Sequence, residues 1–343
     1  MVCGPHAGRE PAATAAAQAA RTASFPMIAD LDPEQDEPVF VCGAHRSRST
    51  FLQRLLNTHP QLVIWGEHGG FINKLVELDQ ISEIYRGGRD DMTPDQISMF
   101  ASKRVEVMFD YNPWTNPLQR QDYHDLCRQT LSSAFRRGLD AGQRWGFKEI
   151  RYNAPATMAF LARLYPRAQF ILLRRDLTEL CVSNILVDWS VHHLAEMDAA
   201  TTLEGAFEVL ADCAYGLCAL EAQSRQSALA LGPRALLIED GELVETTEHI
   251  FRFLGLDTPD HHAEAMRLNA RMRLGETRKD LSVGLLTQGF IEDHAPDFIE
   301  AAREEIDAQG IDFPRLRRQA QTGRYSFLVG DHELRHTHLS SLF

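Results

Sequence analysis

No run of apolar residues reaches the ~18 that a membrane-crossing helix needs, so no transmembrane span is expected. The N-terminal segment also lacks the continuous apolar stretch of a secretion signal. Arg9, Glu10 and Pro11 stand where that stretch would lie. A soluble, cytoplasmic protein is the expectation. Cysteine pairs are missing too. Cys3, Cys42, Cys127, Cys181, Cys213 and Cys218 form no C-x-x-C, and no histidine pair lies near them at zinc spacing. That removes the common zinc and dithiol motifs and leaves buried, reduced thiols. Positive charge is scarce, with 35 Lys and Arg against 48 Asp and Glu, a formal net charge of −13. A nucleic-acid partner would call for a basic run, and there is none. The one local cluster, Arg315, Arg317 and Arg318, reads as a solvated helix face.

An acidic chain that binds an anion must gather its cations in one pocket. The place to look is therefore isolated Arg and Lys beside Gly, Ser and Thr. Residues 1–36, rich in Ala, Thr, Asp, Glu and Pro, read as a disordered leader. A single catalytic domain is expected over 37–315, followed by a tail over 316–343. Short apolar runs mark five strands: PVFVCG from Pro38, LVIW from Leu62, RWGFKEI from Arg144, QFILLRR from Gln169 and RALLIED from Arg234. Helical periodicity predicts helices over about 50–57, 154–164, 177–185, 203–230 and 246–254, the last capped by Gly255. Strand and helix alternate. That pattern predicts an α/β fold of three layers, a mostly parallel central sheet with helices on both faces. Ligands of such sheets sit beyond the carboxyl ends of the strands.

Four constellations lie at such ends. The first is Gly43-Ala44-His45-Arg46-Ser47-Arg48-Ser49-Thr50. A turn between strand and helix exposes backbone N–H groups, and the helix dipole adds positive potential. Ser47, Ser49 and Thr50 add hydroxyls, and Arg46 and Arg48 add charge, so the segment suits a phosphate or sulfate. It is not the G-x-x-x-x-G-K-[ST] loop of an ATPase: Arg48 replaces the second glycine and Ser49 the lysine. The second is Arg175 with Ser183, eight residues apart across a strand end and a helix. Together they suit a second phosphate away from the first, unless Arg175 pairs with Asp176 or Glu179. The third is Lys148, a cation for a leaving phosphate. The fourth is Trp65-Gly66-Glu67-His68, where either Glu67 or His68 could take a proton from a hydroxyl.

In this order the pieces resemble the sulfotransferases that use 3′-phosphoadenosine-5′-phosphosulfate. Val39 to Gly43 followed by His45 to Thr50 is similar to the family's 5′-phosphosulfate loop. His59-Pro60, the Arg175–Ser183 pair, Ile238-Glu239-Asp240 and Phe253-Leu254-Gly255-Leu256 also match its segments. The resemblance implies a P-loop-like fold, with Arg46 and Ser47–Thr50 on the 5′-phosphate and sulfuryl oxygens. It further implies Arg175 and Ser183 on the 3′-phosphate, Lys148 at the bridging oxygen, and Glu67 or His68 as base. Arg278 to Ser282 would close over the donor. No metal is implied. The acceptor is a small molecule, glycan or peptide, and a homodimer fits the family. Arg48 departs from the family's loop glycine, as either a strained replacement or a further cationic contact. Two other readings remain open on the residues themselves. LLIED suits a nucleotide kinase or NTPase with an acid for Mg²⁺, and a non-catalytic nucleotide-binding protein would need only the anion loop.

Overall fold

A computed structural model describes residues 36–86, 120–196, 200–239, 246–259 and 281–321. Its centre is a five-stranded sheet: β1 (Val39–Gly43), β2 (Leu62–Trp65), β3 (Arg144–Glu149), β4 (Gln169–Arg174) and β5 (Ala235–Glu239). The spatial order is β2-β3-β1-β4-β5 and every pairing is parallel. β1, the most apolar strand, takes the middle position and is buried along its whole length. A parallel sheet is covered on both faces, which is why its strands read as continuous apolar runs.

The period-two alternation of each strand sorts side chains between two cores. Phe40, Trp145, Phe147, Phe170 and Leu172 face one side. There they meet α2 (Ile72–Arg86), α3 (Arg120–Phe135) and α4 (Pro155–Leu164). Val39, Val41, Ile171, Leu173 and Ile238 face the other, against α1 (Ser49–Leu56) and α8 (Thr247–Phe253). The result is the three-layer α/β fold expected from the alternation of elements. Gly255, at φ 71°, ends α8, with Leu256 N–H bonded back to Phe251 O at 2.8 Å, as its sequence position predicts.

A third cluster was not legible in the strand pattern. It is built by α5 (Leu177–Ile185), α6 (Asp188–Glu196), α7 (Leu203–Leu231), α9 (Gln288–Gln309) and α10 (Phe313–Gln321). The expected boundary between 315 and 316 falls inside α10. Leu316 is buried in this cluster and Gln319 is bonded to Asp212, so the packed unit continues past 315. Arg315 pairs with Glu305 and lies 3.9 Å over the Tyr215 ring, so it is not purely solvated. Five described cysteines are free and buried. Among the described residues no helix is long and apolar enough to cross a membrane. Residues 1–35 of the leader, Cys3 among them, and Arg278 to Asp280 lie outside the described residues.

Candidate active site

β1 ends in a turn whose shape is set by two arginines. Arg46 and Arg48 have φ of 67° and 63°, and they are the described non-glycine residues in the left-handed region. Left-handed backbone costs an L-residue about 1–2 kcal/mol, so the pair stores a sizeable fraction of a typical net stability. Arg48 is the N-cap of α1, a position where its side chain makes no capping bond to the helix. Gly43 is required for space: a Cβ there would lie 2.8 Å from Leu173 O and 2.9 Å from Ser47 Oγ. Ser47 is fully buried beneath the turn, and its hydroxyl has no partner.

The turn opens onto a cavity of about 850 Å³ at the carboxyl ends of the strands. Arg46, Arg48, Ser49, Thr50, Glu67, Arg175 and Ser183 line it, so seven of the expected residues come together. Gly43, Ser47, Lys148 and His68 do not line it. Arg54 and His45 do, and sequence reasoning gave neither a role. Nor did it anticipate α9, which contributes Gln288 and Glu292. Arg54 was within reach of sequence analysis, since it lies on α1 near the anion loop. His45 was not, because its side chain is placed by Asn184, 139 residues away (Nδ1 to Oδ1, 3.2 Å).

The two anion grips are one surface. Arg46 Nε donates to Ser183 Oγ at 3.0 Å, and Arg175 donates to Arg46 O at 2.8 Å. The Arg175–Ser183 pair, expected to hold a second phosphate, is thus in direct contact with the first loop. Asp176 caps α5 by accepting from Glu179 N at 2.9 Å. That leaves the Arg175 guanidinium to Glu179 Oε2, through Nε at 3.0 Å and NH2 at 2.7 Å. Arg48 NH2 lies 4.0 Å from the same oxygen.

Glu67 follows β2, whose place is fixed by Asn57. The Asn57 amide accepts from Ile64 N at 2.7 Å and donates to Ile64 O at 2.9 Å, as a neighbouring strand would. At the far end of β2, Glu67 Oε1 receives Lys148 Nζ at 2.5 Å, and Oε2 receives Arg151 at 3.3 Å. Burial alone would raise the Glu67 carboxyl, but these two cations hold it below its ordinary value. Lys148 reaches this spot because its neighbours Phe147 and Glu149 point to the opposite face of β3.

His68 is placed elsewhere. Its ring lies 4.8–5.1 Å from the rings of Phe71, Phe135 and Phe147. Tyr152 OH accepts from Ile72 N at 2.9 Å and lies 2.7 Å from His68 Nε2. The assignment that satisfies all three has the phenol donating to Nε2 and the Nδ1 proton towards Gly66 O at 3.4 Å. Burial lowers the imidazole below its ordinary value, against the raising effect of the nearby Glu149. Of the two residues expected as a candidate base, only Glu67 reaches the cavity.

Glu239, offered in the sequence as a metal-binding acid, pairs with Arg174 at 2.8 Å and is not part of the cavity wall. Asp240 lies outside the described residues.

Residues 38–260 match the model of the sulfotransferase family. The chain belongs to that family. Among solved structures it is similar to sulfotransferase STF9 from Mycobacterium avium (13% identity, 81% of this chain and 78% of that one, TM-score 0.39). It is also similar to a sulfotransferase from Alicyclobacillus acidocaldarius (16% identity, 84% and 96%, TM-score 0.37). A third is STF1 from Mycobacterium tuberculosis H37Rv (15% identity, 76% and 77%, TM-score 0.35). No curated protein matches the chain in sequence.

Proposed function

We propose that this sulfotransferase moves a sulfuryl group from 3′-phosphoadenosine-5′-phosphosulfate to an acceptor hydroxyl or amine. The observation that carries the reading is the gathering of Arg46, Arg48, Arg54 and Arg175 in one cavity of an acidic protein, with Glu67 on the same wall. The cavity volume lies within the roughly 300–1,000 Å³ range of small-ligand sites. Its cations suit a ligand with several phosphate charges.

When bound, the donor supplies a sulfuryl group whose bond to the 5′-phosphate oxygen breaks as a bond to the acceptor forms. Arg46, with Ser49, Thr50 and the first backbone N–H groups of α1, binds the 5′ end. Arg175 and Ser183 bind the 3′-phosphate. Arg48 adds a third cationic contact. Its pair with the exposed Glu179 contributes at most about 1 kcal/mol, no more than its left-handed backbone costs. Lys148, buried behind Glu67 and paired with it, adds positive charge behind the cavity wall as negative charge builds on the leaving oxygen. Glu67 takes the acceptor proton. Side-chain cations do this work, and no step calls for a metal.

Calorimetry with 3′,5′-ADP and transfer from a ³⁵S-labelled donor to a panel of metabolites and glycans test the proposal. Binding and labelled product that survive EDTA are expected. Phosphoryl transfer from ATP that EDTA abolishes would establish the kinase reading instead.

A further inference from the structure

The residue that aims Glu67 is three positions beyond Lys148. Glu149 is fully buried at the end of β3. It accepts backbone N–H groups from His68 at 3.1 Å, Gly70 at 3.2 Å and Ile150 at 2.9 Å. A carboxylate held by three main-chain donors has almost no freedom to move. It holds Arg151 NH1 at 2.7 Å, and the same nitrogen lies 3.3 Å from Glu67 Oε2. Arg151 is fixed from two further sides. Asn73 Nδ2 donates to its carbonyl at 3.2 Å. Gly70, at φ 73°, packs so closely under its stem that a Cβ there would lie 3.0 Å from Arg151 Cδ.

We infer that Arg151 is a positioning residue: it ties the Glu67 carboxylate to the immobile Glu149 and sets the direction in which Glu67 accepts a proton. This rests on reading Glu67 as the base. Lys148 cannot do the aiming by itself, because it holds only Oε1 and leaves the carboxylate free to turn about that contact. Arg151 takes the second oxygen and removes the rotation. The charged and titratable groups facing Glu67 are Lys148 and Arg151 in direct contact, Glu149 behind Arg151, and His45 and His68 further off.

The test is a ¹³C carboxyl titration of glutamate-labelled protein, with Glu67 assigned by its loss in Glu67→Gln, and 3′,5′-ADP calorimetry on the same samples. In Arg151→Ala the Glu67 titration should move up towards the ordinary carboxylate range, while 3′,5′-ADP affinity stays within about 2-fold. Arg151→Lys should restore part of the shift. Label transfer from the ³⁵S donor to water, used as a probe nucleophile, should fall by about 10- to 100-fold in Arg151→Ala. Arg151→Gln, which keeps a hydrogen-bond donor for Glu149 but no charge, carries the same test should the alanine variant unfold. A Glu67 titration unmoved in both neutral variants would overturn the inference. A Glu67→Gln enzyme that still transfers label would instead overturn the base assignment, whatever Arg151 does.

Discussion

Arg46 Nε donates to Ser183 Oγ at 3.0 Å and so joins the turn after β1 to the helix after β4, across 137 residues of sequence. The bond makes one wall of the cavity from two segments. Arg175 reinforces it through the Arg46 carbonyl.

Loss of either arginine should therefore weaken 3′,5′-ADP binding strongly. Arg46→Ala and Arg175→Ala are each expected to cost about 1.5–3 kcal/mol, the range of a hydrogen bond to a charged group. Ser183→Ala, which removes a neutral partner, should cost about 1 kcal/mol. Calorimetry reads all three. Unchanged affinity in both arginine variants would remove the donor assignment.

Arg48→Gly should separate stability from binding. Glycine adopts positive φ without the Cβ penalty, so the variant should be more stable by about 1 kcal/mol in urea unfolding. The same change should weaken 3′,5′-ADP several-fold if the guanidinium contacts the donor. A variant that gains stability and keeps its affinity would show that Arg48 is strain without a ligand role.

Glu179 competes for the cations proposed to hold the donor. Its Oε2 takes two bonds from Arg175 and lies near Arg48, yet the side chain is 56% exposed. An exposed pair of this kind contributes up to about 1 kcal/mol. Glu179→Gln should accordingly tighten 3′,5′-ADP by up to about 5-fold at low salt, with a smaller gain at high salt. Weaker binding would mean that Glu179 orients Arg175 rather than occupying it.

Acid should act on the two neighbours Glu67 and His68 differently. The folded Glu67 value lies below its ordinary 4.5, so its ion pairs contribute stability above that value and are lost as pH falls through the lower one. The folded His68 value lies below its ordinary 6.5. The unfolded state therefore binds the proton first, and stability falls as pH drops below 6.5 towards the folded value. Thermal unfolding of His68→Gln should show a lower midpoint near neutrality and a shallower loss on acidification than the parent. Its 3′,5′-ADP affinity should be unchanged, and Glu67→Gln should keep affinity but lose transfer. An inactive His68→Gln enzyme of full stability would return the base to His68.

Some of this was legible in one dimension. A buried parallel strand leaves an apolar run, and five such runs alternating with helical periods determine a covered parallel sheet. That the turn after β1 lines the cavity was legible because its polar groups are neighbours in the chain: backbone N–H groups, hydroxyls and arginines within Arg46–Thr50. The spacing of Arg175 and Ser183 was legible because a strand end and two helical turns are local geometry.

The tertiary structure decided what depends on residues far apart in sequence. Glu67 and His68 are adjacent and chemically alike as bases. The chain path after β2 sends one to Lys148 and Arg151, and the other into a box of Phe71, Phe135 and Phe147. No local rule gives that choice, since it depends on which groups β3 and α3 bring alongside. The merging of the two anion grips through Arg46 and Ser183 has the same origin, because β1 and β4 are neighbours in the sheet but not in the chain. Sequence determined which chemistry this protein carries; the side-by-side packing of distant strands determined which atoms face it.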